Sequence, residues 1–275
     1  EKTVTNFDME KIVDTSDQWI TERTGIKQRH FAAPEEATSD MSVIAAQRAM
    51  EDAGVKPEEI QLVIVGTASS DHAFPSTACL VQDRLGCKNA AAFDLSAGCS
   101  GFVYNLAVAS HLIKTEKKKK ALIIGAETLS RIMNFTDRNT CVLFGDGAGA
   151  AVVGVVDEGE GVLGIELGAD GSGGKFLIQP AGGSRKPATP ETAAAHEHTI
   201  HMSGQDVFKF AIQIMGTAAK RALKAANMKA EELDLLVPHQ ANMRIITSAA
   251  KRLKMPMEKV WVNVDAEIKE KANAK

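Results

Sequence analysis

The sequence predicts an α/β protein in which helices cover a largely parallel sheet, with the arrangement repeated in two similar halves. Helix patterns alternate with short, wholly apolar runs such as residues 62–65, and such runs suit strands buried on both faces of a parallel sheet. In addition, residues 49–63 return in modified form as residues 222–236, with the same order of helix, stop, acidic turn and apolar run. This repetition indicates an internal duplication of one supersecondary unit.

Length and composition fit a soluble globular protein of one large or two smaller domains. The 275 residues are 44% hydrophobic and 24% charged, and their net charge of −3 argues against a nucleic-acid partner. No apolar run is long enough to cross a membrane, and the first residues lack a secretory pattern. The four cysteines have no metal-site spacing, so we interpret them as reduced thiols in a cytoplasmic protein without a metal site.

The first half contains helices and strands in regular alternation. Helices are predicted over residues 8–22, 39–53, 75–85 and 99–113. Ser16 is the candidate cap of the first helix, Ser39 or Asp40 caps the second, and Gly54 ends the second. Strands are predicted at residues 62–65, 91–95, 121–124, 141–144 and 150–156.

The second half repeats only part of this order. Apolar residues 233–236 and 260–264 correspond to the first two strands of the first half, and a helix lies between them. A small-residue turn and an apolar helix should follow, but residues 265–275 contain neither. We therefore expect two similar halves, at residues 1–156 and 157–275, with the second half incomplete.

Small residues join the strand at residues 91–95 to the next helix, and Cys99 lies among them. Ser, Ala and Gly let the backbone turn sharply there. The unpaired N–H groups and the dipole of a beginning helix favour a thiolate, which is the nucleophilic form. Cys99 is therefore a candidate nucleophile, although a small buried apolar residue fits the local pattern equally well.

A polar cluster around His239 follows the apolar run at residues 233–236. Open α/β sheets bind ligands at the carboxyl ends of their strands, so His239 is a candidate acid, base or hydrogen-bond donor. The alternative is a surface histidine in a loop. The glycine-rich residues 144–150 look like a dinucleotide-binding loop, but a β-branched run follows them instead of a helix. We expect a tight connection between strands there.

Six motifs span nearly the whole chain: residues 14–20, 23–26, 72–76, 94–102, 144–150 and 237–242. In this order they resemble the β-ketoacyl-acyl carrier protein synthase III family. The resemblance implies the thiolase fold, which has two duplicated halves in five α/β/α/β/α layers, and a homodimer.

The resemblance also implies an acyltransferase that condenses a short acyl-CoA, such as acetyl-CoA, with malonyl-acyl carrier protein. This condensation initiates type II fatty acid synthesis. Cys99 would accept the acyl group as a thioester. His239 would donate a hydrogen bond to the malonyl thioester as decarboxylation builds enolate charge. Coenzyme A enters only with the substrate, so no tightly bound cofactor is expected.

Binding residues follow from the same resemblance. Those for coenzyme A are Trp19 and Arg138, which would stack on the adenine, and Thr15, Arg23 and Asn242, which would contact phosphates or pantetheine. Those for the acyl pocket are Phe74, Phe144 and Met202. Those for the acidic carrier protein are Arg244, Lys251 and Arg252. Without the resemblance, the aromatic and methionine side chains are ordinary core residues, and the basic ones belong to solvated surfaces.

The sequence departs from the family pattern near its ends. Lys269 stands where the family has a catalytic Asn, and the family's C-terminal glycine-rich strand and first N-terminal strand are missing. We therefore expect a chain truncated at both ends, with reduced turnover of its own. Two alternatives stay open, namely a related acyl-CoA condensing enzyme or acyltransferase of the same fold, and a non-catalytic fragment that binds coenzyme A. The length and branching of the acyl primer also stay open.

Overall fold

A computed structural model describes residues 2–115 and 119–264. Its strands are β1 (Lys2–Thr5), β2 (Gln28–Phe31), β3 (Leu62–Gly66), β4 (Ala91–Leu95), β5 (Lys120–Thr128), β6 (Asp146–Gly154), β7 (Leu177–Ile178) and β8 (His201–Met202). Its α-helices are α1 (Asn6–Met9), α2 (Asp17–Thr24), α3 (Thr38–Asp52), α4 (Thr77–Leu85), α5 (Gly101–Thr115), α6 (Arg138–Cys141), α7 (Pro190–Ala194), α8 (Gly204–Ala225) and α9 (Met243–Leu253). Within the described residues, no helix combines the length and apolar character needed to cross a membrane.

The chain forms two compact units, and each unit combines separate segments of the sequence. The first contains His30–Arg131 and Gly145–Leu163, and the second contains Thr3–Arg29, Ile132–Phe144 and the chain from Gly164 onwards. These units differ from the continuous halves 1–156 and 157–275. The difference arises because early and middle segments bond to later ones: Asn242 donates to the Arg23 carbonyl at 3.0 Å, and Ile200 donates to the Ile132 carbonyl at 2.8 Å. The division into halves stays a prediction about the duplication.

The first unit is built on a four-stranded sheet in the order β4-β3-β5-β6. β3 runs parallel to β4 and to β5, whereas β6 is antiparallel to β5. Every residue of β3 is buried, as the apolar run at residues 62–65 predicts. The sheet is therefore largely parallel, with one antiparallel edge strand.

Helices bury both faces of β3. Val63 and Val65 lie in a core cluster with Ala46 of α3 and Val81 of α4. Their neighbour Ile64 belongs to a second cluster, which includes α5 residues. Because successive residues of a strand point to opposite faces, α3 and α4 cover one side of the sheet and α5 covers the other.

The prediction of a strand at residues 141–144 is wrong. The chain there forms α6 and a turn. The Asp137 carboxylate accepts a hydrogen bond from the Asn139 N–H at 3.0 Å, and the Cys141 N–H donates to the Asp137 carbonyl at 3.0 Å. These local hydrogen bonds stabilise one helical turn against the extended conformation that Val and Phe side chains prefer.

The glycine-rich motif lies within a strand, so the predicted tight connection at residues 144–150 is also wrong. β6 begins at Asp146, and its Gly147 and Gly149 pair with Glu127 and Gly125 of β5. Gly125, the single glycine of β5, faces Gly149 of β6, and the ladder continues through this pair. A dinucleotide-binding loop needs a helix directly after its glycines, and this segment continues as a strand.

The second unit begins with two short helices where the sequence carries helix signals over residues 8–22. α1 and α2 are separated by a turn, and the Ser16 hydroxyl accepts the Trp19 N–H at 3.1 Å, so Ser16 is the predicted cap. α2 ends at Gly25, whose φ of +84° suits glycine. A Cβ there would approach the Met243 side chain to 3.0 Å, so Gly25 also permits close packing of α2 near α9.

The duplication is visible in the hydrogen bonds that end corresponding helices. After α3, the Val55 N–H donates to the Met50 carbonyl, and after α8 the Met228 N–H donates to the Leu223 carbonyl, both at 2.9 Å. An acidic 3₁₀ turn follows in each case. The local structure therefore repeats with the sequence.

The strands of the second half are less developed than predicted. Residues 233–236 and 260–264 form only one isolated parallel bridge, between Leu236 and Val260. In the first unit, β3 lies between two partner strands, which extend its ladder on both sides. The bridge has no second neighbour among the described residues, and a pair of strands alone is marginally stable.

Candidate active site

Cys99 lies in a tight turn between β4 and α5. One 3₁₀ turn covers Gly98–Ser100, and α5 begins at Gly101. Gly98 has a φ of +51°, which glycine adopts without steric cost. Gly101 packs directly on β3, because a Cβ on Gly66 would lie 2.9 Å from the Gly101 carbonyl carbon. The small residues therefore produce the predicted sharp turn and let α5 begin against the sheet.

The electrostatic environment of Cys99 differs from the expected one. The thiol is accessible to solvent, yet the protein atoms around it desolvate it. This desolvation raises the pKa of Cys99, the charge of Glu127 raises it further, and hydrogen bonding to the backbone lowers it less strongly. The prediction of a thiolate-favouring site is therefore wrong in direction, and the resting residue is a thiol. Since α5 begins two residues after Cys99, the contribution of its dipole is also weaker than expected.

The loop around His239 is held by its neighbour Gln240. The Gln240 Nε2 donates to the carbonyls of Pro238 and Trp261, both at 2.9 Å, and its Oε1 accepts the Asn263 N–H at 2.9 Å. His239 is exposed to solvent, yet the protein atoms around its ring desolvate it and lower its pKa, so the imidazole is neutral at neutral pH and carries one N–H donor. Gln240 is thus a positioning residue, which the sequence places in the polar cluster around His239 but to which no role was assigned.

Cys99 belongs to the first unit and His239 to the second. Each lies in a connecting segment of its own unit, and each has a chemistry that suits the assigned step. Their meeting in one cavity stays a prediction. Lys269, at the position of the family's catalytic Asn, lies outside the described residues.

Two guanidinium groups flank Trp19 of α2. The Cζ atoms of Arg23 and Arg138 lie 4.6 Å and 5.2 Å from the centre of the indole, within the range of cation–π contacts. Arg138 also donates to the Asp14 carbonyl at 3.1 Å and approaches the Asp14 carboxylate at 3.7 Å. The structure thus brings together three of the residues assigned to coenzyme A. A base that stacks between Trp19 and Arg138 has to move this guanidinium away from the ring.

Thr15 and Asn242 differ in whether the protein itself provides hydrogen-bond partners for their side chains. The Thr15 hydroxyl is buried and has no hydrogen-bond partner within the described residues. Asn242 caps α9, because its Oδ1 accepts the Arg244 N–H at 2.8 Å, and its Nδ2 donates to the Arg23 carbonyl. Thr15 therefore has free capacity for a ligand, whereas Asn242 has a structural role as well as its assigned one.

The residues assigned to the acyl pocket are distributed over both units. Phe144 and Met202 are half-buried in the second unit, where α6 packs beside β8. Phe74 belongs to the first unit, and the residue is 86% exposed. A residue so exposed lines no enclosed cavity within its own unit, so the pocket assignment of Phe74 is not explained by the single chain and stays a prediction.

The basic residues assigned to the carrier protein lie on the exposed side of α9. Arg244 and Lys251 are seven residues apart and share a face of the helix, and Arg252 is adjacent. The opposite side buries Ile246 and Ala250. None of the three cations forms an ion pair within residues 2–115 and 119–264, so all are available to an acidic partner.

Comparisons with known proteins give a consistent result. The family model of 3-oxoacyl-[acyl-carrier-protein] synthase III matches residues 93–171, and the model of its C-terminal part matches residues 223–267. The β-ketoacyl-[acyl-carrier-protein] synthase III of Caldanaerobacter subterraneus subsp. tengcongensis is 58% identical over 265 residues, and that of Clostridioides difficile is 53% identical. Each alignment covers 96% of this chain and 80% of the relative.

Solved structures agree with the sequence relatives. The chain is similar to 3-oxoacyl-[acyl-carrier-protein] synthase III from Aquifex aeolicus VF5, with a TM-score of 0.87, and to the enzyme from Thermus thermophilus, with a TM-score of 0.88. Both are 45% identical, and the alignments cover 97% of this chain and 81% of those chains. A priming β-ketosynthase from the R1128 polyketide pathway is 35% identical, with a TM-score of 0.85.

Proposed function

Because the chain belongs to the β-ketoacyl-[acyl-carrier-protein] synthase III family, we propose that Cys99 and His239 carry out the family's condensation. The protein is an acyltransferase of thiolase-like fold that catalyses the initiating condensation of fatty acid synthesis. The single observation that carries this assignment is 58% identity to such a synthase over 96% of the chain.

The first half-reaction transfers the acyl group to Cys99. The Sγ atom attacks the carbonyl carbon of the acyl-CoA, a carbon–sulfur bond to Cys99 forms, and the bond to the coenzyme A sulfur breaks. The thiol proton has to leave Sγ, and the departing coenzyme A thiolate takes up one proton, so the protons balance. The turn at Gly98–Ser100, which leaves the thiol accessible to solvent, supports this role.

The second half-reaction joins the malonyl unit to the acyl group. Loss of carbon dioxide from malonyl-acyl carrier protein leaves an electron pair on the α-carbon and negative charge on the thioester oxygen. The neutral imidazole of His239 donates its N–H to that oxygen, where the charge develops. The carbanion then attacks the Cys99 thioester, a carbon–carbon bond forms, and Cys99 leaves as the thiolate. Gln240 supports this step because it binds the Pro238 carbonyl, directly before His239, and ties the loop to the backbone of Trp261 and Asn263.

Substrate recognition is assigned to two surfaces of the second unit. Trp19, Arg23 and Arg138 with the free hydroxyl of Thr15 would take the adenine and phosphates of the acyl-CoA. Arg244 and the other exposed cations of α9 would contact the acidic carrier protein. Coenzyme A then enters and leaves with the substrate and is not a resident cofactor.

We also infer a homodimer in the cytoplasm. β4 is an edge strand of its sheet, with one side unpaired in the described part of the chain, and such edges invite pairing with a second copy. Phe102 and Val103 of the adjacent α5 are 39% and 54% exposed. Four free cysteines support a reducing compartment.

A condensing enzyme with another acceptor is the alternative function. The 35% identity to a polyketide priming synthase favours it, because that fold neighbour is a ketosynthase of a different pathway. A non-catalytic coenzyme A-binding chain is the second alternative, and the raised pKa of Cys99 favours it.

Mass spectrometry of the purified protein tests these functions. Incubation with acetyl-CoA should give one acetyl adduct on Cys99, and later addition of malonyl-acyl carrier protein should release it as a β-ketoacyl product. Cys99→Ala should form no adduct while it still binds coenzyme A. An adduct that only a different acceptor removes would indicate the related condensing enzyme. Coenzyme A binding without any adduct would indicate the non-catalytic chain.

A further inference from the structure

Glu127 is a half-buried acidic residue that the condensation described above does not use. It is the penultimate residue of β5, and the order β4-β3-β5 places the end of β3 between Glu127 and the end of β4. β4 leads directly into the turn that carries Cys99. Since all three strands are parallel, their carboxyl ends lie at the same edge of the sheet.

The Glu127 carboxylate binds the turn that follows β3, residues 67–69. One oxygen accepts the Ala68 N–H at 2.9 Å, and the other accepts the hydroxyls of Ser69 and, at 3.4 Å, Thr67. The same turn is bonded to β4, because the Thr67 N–H donates to the Leu95 carbonyl at 3.2 Å. A continuous set of hydrogen bonds therefore runs from Glu127 through the turn to Leu95, four residues before Cys99.

The carboxylates near this edge of the sheet have different hydrogen-bond partners. Asp94 of β4 accepts the N–H groups of Thr77 and Ala78 at the start of α4. Asp146 of β6 accepts the N–H groups of Ser130 and Ala32, and Asp71, in the loop after β3, accepts the N–H of Ser39. The carboxylate of Glu127 adds to desolvation in raising the pKa of Cys99. Desolvation also raises the pKa of Glu127 itself, while the hydrogen bonds from residues 67–69 lower it and so favour the charged carboxylate.

We propose that Glu127 is a positioning residue for acylation, which fixes the residue 67–69 turn beside the nucleophile turn and keeps one negative charge near the Cys99 sulfur. This inference rests on the proposed function, because it requires Cys99 to be the residue that accepts the acyl group. Its charge disfavours a thiolate but has little effect on a neutral thioester. Glu127 therefore restrains side reactions of the resting thiol and favours the acylated form over the thiolate.

The charge is tested by the pH dependence of Cys99 alkylation in the full chain. Iodoacetamide is the probe, and peptide mass spectrometry separates Cys99 from Cys79, the other exposed cysteine. Glu127→Gln should move the Cys99 profile to lower pH by about one unit, because removal of a nearby like charge favours the thiolate. The profile of Cys79 should not move. A stabilising role alone would lower the melting temperature and leave the Cys99 profile in place.

Glu59→Gln is the matched control. Glu59 pairs with Lys120, the first residue of β5, at the opposite end of the strand from Glu127. The same change of charge there should leave the Cys99 profile unchanged. A Glu127→Gln protein that is folded but has an unshifted profile would overturn the proposal, as would an equal shift in Glu59→Gln.

Glu127→Asp tests positioning separately from charge. It keeps the carboxylate but shortens the side chain, so the turn loses its hydrogen bonds. We expect an alkylation profile close to wild type together with slower transfer of acetyl from acetyl-CoA and an unchanged KM. If Glu127→Gln does not fold, Glu127→Asp alone tests the proposal, and a wild-type rate of Cys99 acylation in Glu127→Asp would overturn it. Failure of the wild-type protein to acylate Cys99 would instead contradict the proposed function.

Discussion

Gly66 and Gly101 touch at the point where the helix behind the nucleophile turn meets the central strand. A Cβ on Gly66 would lie 2.9 Å from the Gly101 carbonyl carbon and 2.8 Å from the Asn105 Nδ2, and a Cβ on Gly101 would lie 3.3 Å from the Gly66 Cα. Asn105 also donates to the Ile124 carbonyl at 2.9 Å, so it fixes α5 to β5 at the same level. The position of the Cys99 turn therefore depends on glycine at both positions, because a side chain at either one would hinder this close approach.

Gly66→Ala should displace the start of α5. The new methyl group would meet backbone atoms, which cannot rotate away, so we expect a loss of about 1–3 kcal/mol of unfolding free energy. Acylation of Cys99 should fall as well. Gly147→Ala is the control, because a Cβ at Gly147 has no neighbour within 4 Å. Denaturant unfolding of both proteins measures the difference, and equal stabilities would contradict the packing described here.

His239→Ala should separate the two half-reactions. Acetyl transfer to Cys99 should continue, because the proposed hydrogen bond of His239 serves only the malonyl thioester. Condensation should fall by about 10²–10³-fold, the usual loss for one donor to developing oxyanion charge. Single-turnover mass spectrometry follows both steps, with His201→Ala as a control in the same unit. Loss of the acetyl adduct in His239→Ala would show that the histidine acts earlier than we propose.

The lowered pKa of His239 should make the fold less stable in acid. At a pH above 6.5, the ordinary value, the residue is neutral in both folded and unfolded chains and contributes no pH dependence. As the pH falls through 6.5, the unfolded chain binds the proton first, so the free energy of unfolding decreases until the folded pKa is reached. His239→Asn should therefore lose less stability on acidification than wild type. Urea unfolding at a series of pH values measures this difference, and equal losses of unfolding free energy in wild type and His239→Asn would rule it out.

Trp19→Ala should weaken binding of coenzyme A by roughly tenfold, since one aromatic stacking contact is worth about 1–3 kcal/mol. Binding of pantetheine, which has no adenine, should be unchanged. Isothermal titration calorimetry with both ligands gives the comparison, and Phe7→Ala, an exposed aromatic of the same unit, is the matched control. Equal weakening for both ligands would place Trp19 elsewhere than under the adenine.

Asn242→Ala should destabilise the protein by about 1 kcal/mol, the usual cost of a lost helix cap. Asn242→Ser keeps an oxygen for the Arg244 N–H but loses the bond to the Arg23 carbonyl. We expect the melting temperature of the serine variant to be close to that of the wild-type protein. If serine and alanine were equally destabilising, the contact with Arg23 and not the cap would be the stabilising one.

Short-range features follow from the sequence because neighbouring residues produce them. Ser16 caps α2 with its own hydroxyl, and β3 is buried on both faces as its apolar run predicts. The sharp turn at Cys99 follows from its small neighbours. The family resemblance was likewise contained in local motifs, which is why the identity of the candidate residues needed no coordinates.

Tertiary structure decided whatever depends on residues that are distant along the chain. The pKa of Cys99 rises because the surrounding protein atoms desolvate the thiol and because Glu127, 28 residues later, opposes the charge that the turn at Cys99 favours. The compact units are discontinuous because Asn242 bonds to Arg23 across 219 positions. Sequence patterns report interactions between near neighbours, whereas desolvation and electrostatic repulsion depend on distance in space, which only the folded chain defines.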